Sequence, residues 1–538
     1  MKKKLLVLTA LVLVLCMTLT GCFVDFLGYF EQLLMLGMGG SLTSFSDMVY
    51  TRPDMQELQR VVDECCKKVE EAKNLNGVVS VIYEAYAPID GFSTAYALSN
   101  IYYCKDLTDT YWAEEYAFCS ENAPVAQAAL DQFYRALANS KFRQELEGED
   151  YFGPGFFDDY QGESIYDEVF TDLLSQEAAL ESQYYLLWEQ AGDTDPYSEE
   201  FYSEYGQKME QLFVELIALR QDMAEHLGYG SYPEFAYDYY FGRDYTVEQT
   251  TSYLADIRAE LVPMYQMLRE NGVDATLGPC TGNDALEYVR EMAYAMGGTM
   301  RSAYDDMITH KLYDIDYSDK KYEASFEVYI SGYYSPYIFI NPTLSEYDKL
   351  TLAHEFGHFC ADYANFGCAA GIDVGEVFSQ GMEYLSLCYV NNPGDLEIVK
   401  MTDCLSVMVE QSAYASFEQL VYGLEGEALT VENVRALFRQ VSEAYGFGDL
   451  VMDGSYVQIT HFFTNPLYVI SYVVSNDVAM QLYQQEKAET GAGVATLEEA
   501  FYTTESGIVT FAQTYGLESP FADGRIQKLK EALQKVLN

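Results

Sequence analysis

Apolar residues return at three- and four-residue steps along most of this chain. From Asp54 onward, Leu58, Val61, Val62, Cys65, Cys66 and Val69 fall on one side of an α-helical period, which predicts an amphipathic helix. Comparable stretches cover residues 79–140, 163–192, 198–228, 246–271 and 282–309, parted by punctuation such as Gly153-Pro154-Gly155 and Gly228-Tyr229-Gly230. The rhythm breaks at Tyr322–Ser331 and Tyr337–Asn341. These segments are rich in Tyr, Val, Ile and Phe, are bounded by Gly332 and Pro342, and read as two short strands. Helical spacing resumes at Leu350–Tyr363 and Val374–Tyr389 and continues to the end. No repeat of solenoid period is present. The pattern predicts a mainly α fold with a small sheet just ahead of Leu350–Tyr363.

The N-terminus follows a different logic. Lys2, Lys3 and Lys4 precede an apolar run, Leu5–Leu19, that is too short for a comfortable membrane span and ends in Leu19-Thr20-Gly21-Cys22. This is a secretory signal, and Leu-Thr-Gly-Cys resembles the bacterial lipobox. The resemblance implies removal of residues 1–21, lipidation of Cys22, and a mature chain held on the extracellular face of the bacterial membrane through residues 22–50.

The 538 residues carry 84 acidic and 31 basic side chains, a formal net charge of −53. Such a polyanion should repel nucleic acid and anionic lipid. Of the 11 Cys, those outside the signal form no paired C-x-x-C knuckles. Cys65-Cys66, Cys104 with Cys119, and Cys360 with Cys368 are candidates for oxidation outside the cell.

The candidate chemistry lies in His354-Glu355-Phe356-Gly357-His358. On a helix, residues four apart lie on one face, so both imidazoles can reach one ion, with Glu355 beside them to address a water. That is the H-E-x-x-H arrangement of zinc peptidases, in which the metal acidifies a water and the Glu takes its proton. Only five His occur in the chain, so a chance pair in this pattern is improbable. A third His six residues beyond His358 would mark a metzincin, but Ala364 stands there. The following helical segment offers Glu376 and Glu383, two turns apart on one face. Glu376 is expected to complete a single-zinc site and Glu383 to orient a His ligand, with the reverse assignment as the alternative. Asp373 reads as a helix N-cap and Asp362 as a poorer ligand, since both His already occupy its helix. His226 and His310 have no partner pattern and read as structural.

Thr351 through His358, followed by Glu376-Val377-Phe378-Ser379-Gln380-Gly381-Met382-Glu383-Tyr384, resembles the thimet oligopeptidase and oligoendopeptidase F family. Two further stretches are similar to that family. One runs from Leu219-Arg220 through Leu227-Gly228-Tyr229 and Tyr232–Phe235 to Arg243-Asp244-Tyr245. The other is His461-Phe462-Phe463 with Pro466-Leu467-Tyr468 and Tyr472, although this copy carries one additional residue between His461 and Pro466. The resemblance implies a zincin-like, clam-shaped helical fold with a deep central channel, divided into an N-terminal helical domain at 51–240 and a catalytic domain at 241–538. It implies zinc on His354, His358 and Glu376, Glu355 as general base, and oxyanion support from His461, Tyr468 and Tyr472. Oligopeptides are the expected substrates of a monomer. Tyr337–Asn341 reads equally as ordinary sheet packing or as a strand edge for an extended peptide, with Gly332 allowing close approach. The competing expectation is a peptide-binding lipoprotein without catalysis.

Overall fold

A computed structural model describes residues 42–537, apart from 149, 150, 159, 163, 193, 274, 368, 369, 392, 453 and 504. The signal segment, Cys22, most of the 22–50 tether and Cys368 lie outside the described residues.

Helix α1 (Met55–Glu71) starts where Asp54 accepts hydrogen bonds from the Gln56 and Glu57 amides. It packs against α2 (Leu75–Lys105) and α3 (Thr110–Ala138). The single stretch expected at 79–140 is thus two helices, because the chain turns at Asp106–Asp109 and Asp109 caps the second. Most of their inward residues, joined by Leu146, Phe152 and Phe157 beyond α3, form one apolar cluster, while Ala97, Leu98, Ile101 and Cys104 of α2 belong to the main core. Helices α4 (Glu168–Ala191) and α5 (Gln207–His226) pack on each other and belong to the main core with the rest of the chain. The two clusters therefore part inside the 51–240 segment.

The sheet has three strands in the order β1-β3-β2, with β1 at Tyr313–Asp314, β2 at Ser325–Ile330 and β3 at Ser335–Ile340. β1 runs parallel to β3, with Tyr313 opposite Ile338. β2 runs antiparallel to it, from Ser325 opposite Ile340 to Ile330 opposite Ser335. Both expected strands are present, displaced by a few residues. β3 is buried along its whole length, paired with β2 from Ser335 to Ile340 and with β1 at Ile338 and Phe339. Of the two readings of Tyr337–Asn341, sheet packing fits this central strand, and the longer free edge belongs to β2. Gly332 serves another purpose too: its amide donates to Thr94 Oγ1 of α2 at 2.8 Å, and a Cβ there would lie 2.6 Å from that oxygen.

Behind the sheet lie α6 (Asp348–Asn365), α7 (Ile372–Tyr389) and α8 (Asp395–Val421). The short α9 (Thr460–Thr464) and α10 (Ile470–Ala488) follow. α7 is sandwiched between α6 and α10 and forms its most extensive contacts with them. Tyr384 donates to Asn476 Oδ1 at 2.6 Å and Gln380 Nε2 to Ser475 Oγ at 3.1 Å, so buried polar pairs tie α7 to α10. Among the described residues no helix is long and apolar enough to cross a membrane.

Cys65, Cys66, Cys119, Cys280, Cys360, Cys388 and Cys404 are free thiols. Cys104 and Cys119 do not pair because their side chains are buried in different apolar clusters.

Candidate metal centre

The site begins with the fit of two helices. Asp348, in the first turn of α6, accepts from the Thr343 amide at 2.9 Å and the Ser345 amide at 3.2 Å, fixing the turn that leads in. Six and ten residues on, α6 presents His354 and His358 with ring centroids 5.2 Å apart. Between them, Gly357 faces α7 so closely that a Cβ would lie 2.6 Å from Ser379 Cα and nearer still to the Phe378 carbonyl oxygen. That approach carries Glu376 to the His pair. One donor atom from each of His354, His358 and Glu376 lies within 4.8 Å of the others. Glu376 Oε2 is 3.6 Å from His354 Nε2.

Glu383, one further pair of turns along α7, takes the other side of His354. Its Oε1 lies 2.8 Å from Nδ1, and its Oε2 pairs with Lys400 of α8 at 2.8 Å. A proton on Nδ1 leaves Nε2 free on the Glu376 side. Glu376 itself accepts from Ser379 Oγ at 3.1 Å and from the Tyr468 hydroxyl at 3.2 Å. Asp362 is outside this group and hydrogen-bonds to Glu327 on β2. Asp373 does not cap α7, which starts after Gly371. The Asp373 carboxylate instead turns inward and accepts from the Tyr245 hydroxyl at 2.9 Å. His226 pairs with Asp167 at 2.8 Å, and His310 lies 3.9 Å from Asp306, both away from the site.

Electrostatics mark the cluster. Glu355, Glu376 and Glu383 are all buried. Burial opposes charge on His354, but Glu383 and its fellow carboxylates overcome this and raise it to about 9. Burial, followed by repulsion from His354, drops His358 to about 3. Burial lifts Glu355 to about 7, against a hydrogen bond from Ser325 at the start of β2. The cluster therefore collects negative charge around two imidazoles and draws a proton onto one of them. A divalent cation at the same place neutralises that charge without the proton, and two His with one Glu are donors suited to zinc with a position left open.

His461 sits on α9, Tyr472 in the first turn of α10, and Tyr468 in the bend between them. Ring centroids are 5.6 Å apart for His461 and Tyr468, 6.0 Å for His461 and Tyr472, and 5.2 Å for the two tyrosines. The tyrosines do not meet as neighbours on one helix, since Tyr468 precedes α10. Burial lowers His461 to about 4 and raises both phenols, so the imidazole is neutral and the hydroxyls keep their protons. Buried Arg220 of α5 donates to the Phe462 carbonyl at 3.0 Å and to that of Phe463, while Glu177 of α4 pairs with it at 2.6 Å. The motif reading missed Lys400 and the pinning role of Arg220. Arg220 acts across 242 positions and Lys400 from the helix after α7, so neither role follows from a local pattern.

Solved structures share this arrangement of helices. A protein assigned as an oligoendopeptidase F superposes with a TM-score of 0.78 at 22% identity, covering 92% of this chain and 98% of its own. PZ peptidase A, determined with an inhibitor, gives 0.79 at 21% identity, with 92% and 99% covered. A protein assigned as an oligoendopeptidase F from Bacillus anthracis str. Ames gives 0.75 at 21% identity, with 93% and 98% covered. At these identities the likeness establishes a common fold: the chain is built on the mainly helical oligoendopeptidase F framework with its small sheet. Residues 45–163 match the family described as Peptidase M3 N-terminal domain. No curated protein sequence matches the chain.

Proposed function

We propose that this chain is a zinc-dependent endopeptidase acting on short, unstructured oligopeptides. The observation that carries the reading is the convergence of His354, His358 and Glu376 donor atoms within 4.8 Å, with Glu355 on the same helix. His354 Nε2, a nitrogen of His358 and a Glu376 oxygen would hold the ion. Zinc bound there supplies a Lewis acid that acidifies water and polarises a carbonyl.

The chain's own groups account for the rest. The Glu355 carboxylate, lifted by burial into the neutral range, takes a proton from the attacking water and returns it to the leaving amine. Neutral His461 and the protonated Tyr468 and Tyr472 are hydrogen-bond donors, suited to the negative charge that develops on the carbonyl oxygen. An extended peptide finds main-chain partners along the outer edge of β2, beginning at Ser325 beside Glu355. The relatives' names support peptides as substrates: two are assigned as oligoendopeptidases and one is a PZ peptidase. A channel that admits only unfolded segments, a monomeric state and anchoring through Cys22 complete the proposal.

A mixed-peptide digest read by mass spectrometry tests it. Cleavage should stop with a chelator and return with zinc. Glu355→Gln should retain the metal while kcat falls by roughly 1000-fold or more. Cleavage at an undiminished rate by that variant sinks the mechanism, and no cleavage by the wild-type protein favours a peptide-binding lipoprotein. For the anchor, the full-length chain should partition with membranes and Cys22→Ser should be released. Equal partitioning of the two would remove lipidation from the proposal.

A further inference from the structure

Tyr468 reaches Glu376 only because the chain bends sharply at Leu467. This residue has φ +66°, a left-handed conformation that is costly for a side chain branched beyond Cβ and without the polar group that helps Asn or Asp. Nothing local compensates. The bend is held from outside, at both of its polar groups. The Leu467 amide donates to Glu418 of α8 at 2.6 Å, and its carbonyl accepts from Arg243 Nη2 at 3.0 Å. The same nitrogen of Arg243 donates to Ser471 Oγ at 2.9 Å, in the first turn of α10.

Arg243 also faces the opposite wall of the site. Its side chain is 1% exposed, and its Nε lies 3.7 Å from Asp373 Oδ2, one turn before Glu376 on α7. The guanidinium is fixed by aromatic faces, 4.1 Å from the ring centre of Phe241, 4.4 Å from Tyr237 and 5.7 Å from Tyr245. Tyr245 in turn donates to the same Asp373 oxygen. One rigid cation thus touches the helix that bears Glu376 and the bend that delivers the hydroxyl bound to Glu376.

We propose that Arg243 is a positioning residue that locks the left-handed bend at Leu467 and thereby sets Tyr468 against Glu376. Arg243 touches no reacting atom. Its contribution rests on the peptidase reading only for the role of Tyr468; the mechanical statement stands without it. Loss of Arg243 frees Leu467 to relax towards negative φ, which swings Tyr468 off Glu376 while leaving His354, His358 and Glu376 in place.

The test combines a double-mutant cycle with amide exchange on the full chain loaded with zinc. Arg243→Met should lower kcat for a peptide by about 10- to 100-fold with KM within about twofold and zinc content unchanged. In a Tyr468→Phe background the same substitution should cost less than about threefold, because the residue it positions is already disabled. Amides of 464–472 should exchange faster, and those of 354–358 should not. A purely structural arginine would give equal losses in both backgrounds, or faster exchange at both segments, and either result overturns the proposal. Should Arg243→Met fail to fold, Ser471→Ala removes one of the two hydrogen bonds. It should show the same coupling with a loss of about threefold, and additive behaviour there also overturns the proposal. If the wild-type protein cleaves nothing, the peptidase reading fails, while exchange at 464–472 still reports whether Arg243 holds the bend.

Discussion

Gly357 has no side chain because α7 occupies the space where one would be. Helix propensity alone argues for Ala there, by about 1 kcal/mol. The backbone of Phe378 and Ser379 outweighs that preference, since a methyl would intrude to 2.6 Å from Ser379 Cα and could be accommodated only by moving a helix. Gly357→Ala should therefore part α6 from α7, lower stability by about 2–4 kcal/mol and weaken zinc binding, as Glu376 retreats from His354 and His358. Chemical denaturation together with competition against a chromogenic chelator checks both effects; unchanged stability would mean that the helices slide apart freely. The two His and Gly357 were legible as a motif. The reason for the glycine was not, because it is a property of the partner helix. The same holds for Lys400, whose pairing with Glu383 brings a third helix to a site that the linear pattern confines to two.

At the scale of elements, α8 supports the site through Glu418. Its Oε1 accepts the Leu467 amide, and burial pushes the carboxyl from 4.5 up to about 8. Below about pH 4.5 the group is protonated whether the chain is folded or not. Between there and about pH 8 the unfolded chain ionises while the folded one resists, so stability is lost as pH rises through this window. Glu418→Gln keeps an oxygen for the Leu467 amide and cannot ionise. Relative to wild type it should gain on the order of a few kcal/mol between pH 5 and pH 8. Urea unfolding at the two pH values measures the difference directly, and parallel curves for both proteins would show that Glu418 is ionised in the fold. What the sequence discloses at this scale depends on period. α6 and α7 repeat long enough to be read, and β2 and β3 show their Tyr, Val, Ile and Phe content. β1 has two residues and no period to display, and its pairing makes β3 the central strand, with β1 and β2 as the edges. Tyr468 was singled out by resemblance, but its approach depends on one left-handed residue held by an arginine 224 positions earlier, which no local pattern encodes.

For the whole molecule the dominant quantity is a net charge of −53. Within the described site most of the acid is paired: Glu383 with Lys400 and His354, and Glu376 with Tyr468, Ser379 and the His pair. The excess therefore lies mainly on the surface, where it acts at a distance on what approaches. A field of this sign raises the local concentration of cationic peptides and so raises kcat/KM through association, leaving kcat alone. Its reach is set by ionic strength: about 30 Å at 0.01 M, enough to sense a peptide before contact, and about 3 Å at 1 M, shorter than a side chain. Two peptides of equal length and equal cleavage sequence, one flanked by lysines and one by serines, separate this effect from pocket specificity. At low salt the lysine peptide should be cleaved with the higher kcat/KM, by about 10-fold or more, and the advantage should shrink as salt rises while the ratio of kcat values stays constant. A preference that persists undiminished at 1 M would place its origin in direct contacts within the site, since a field screened to that range cannot deliver it.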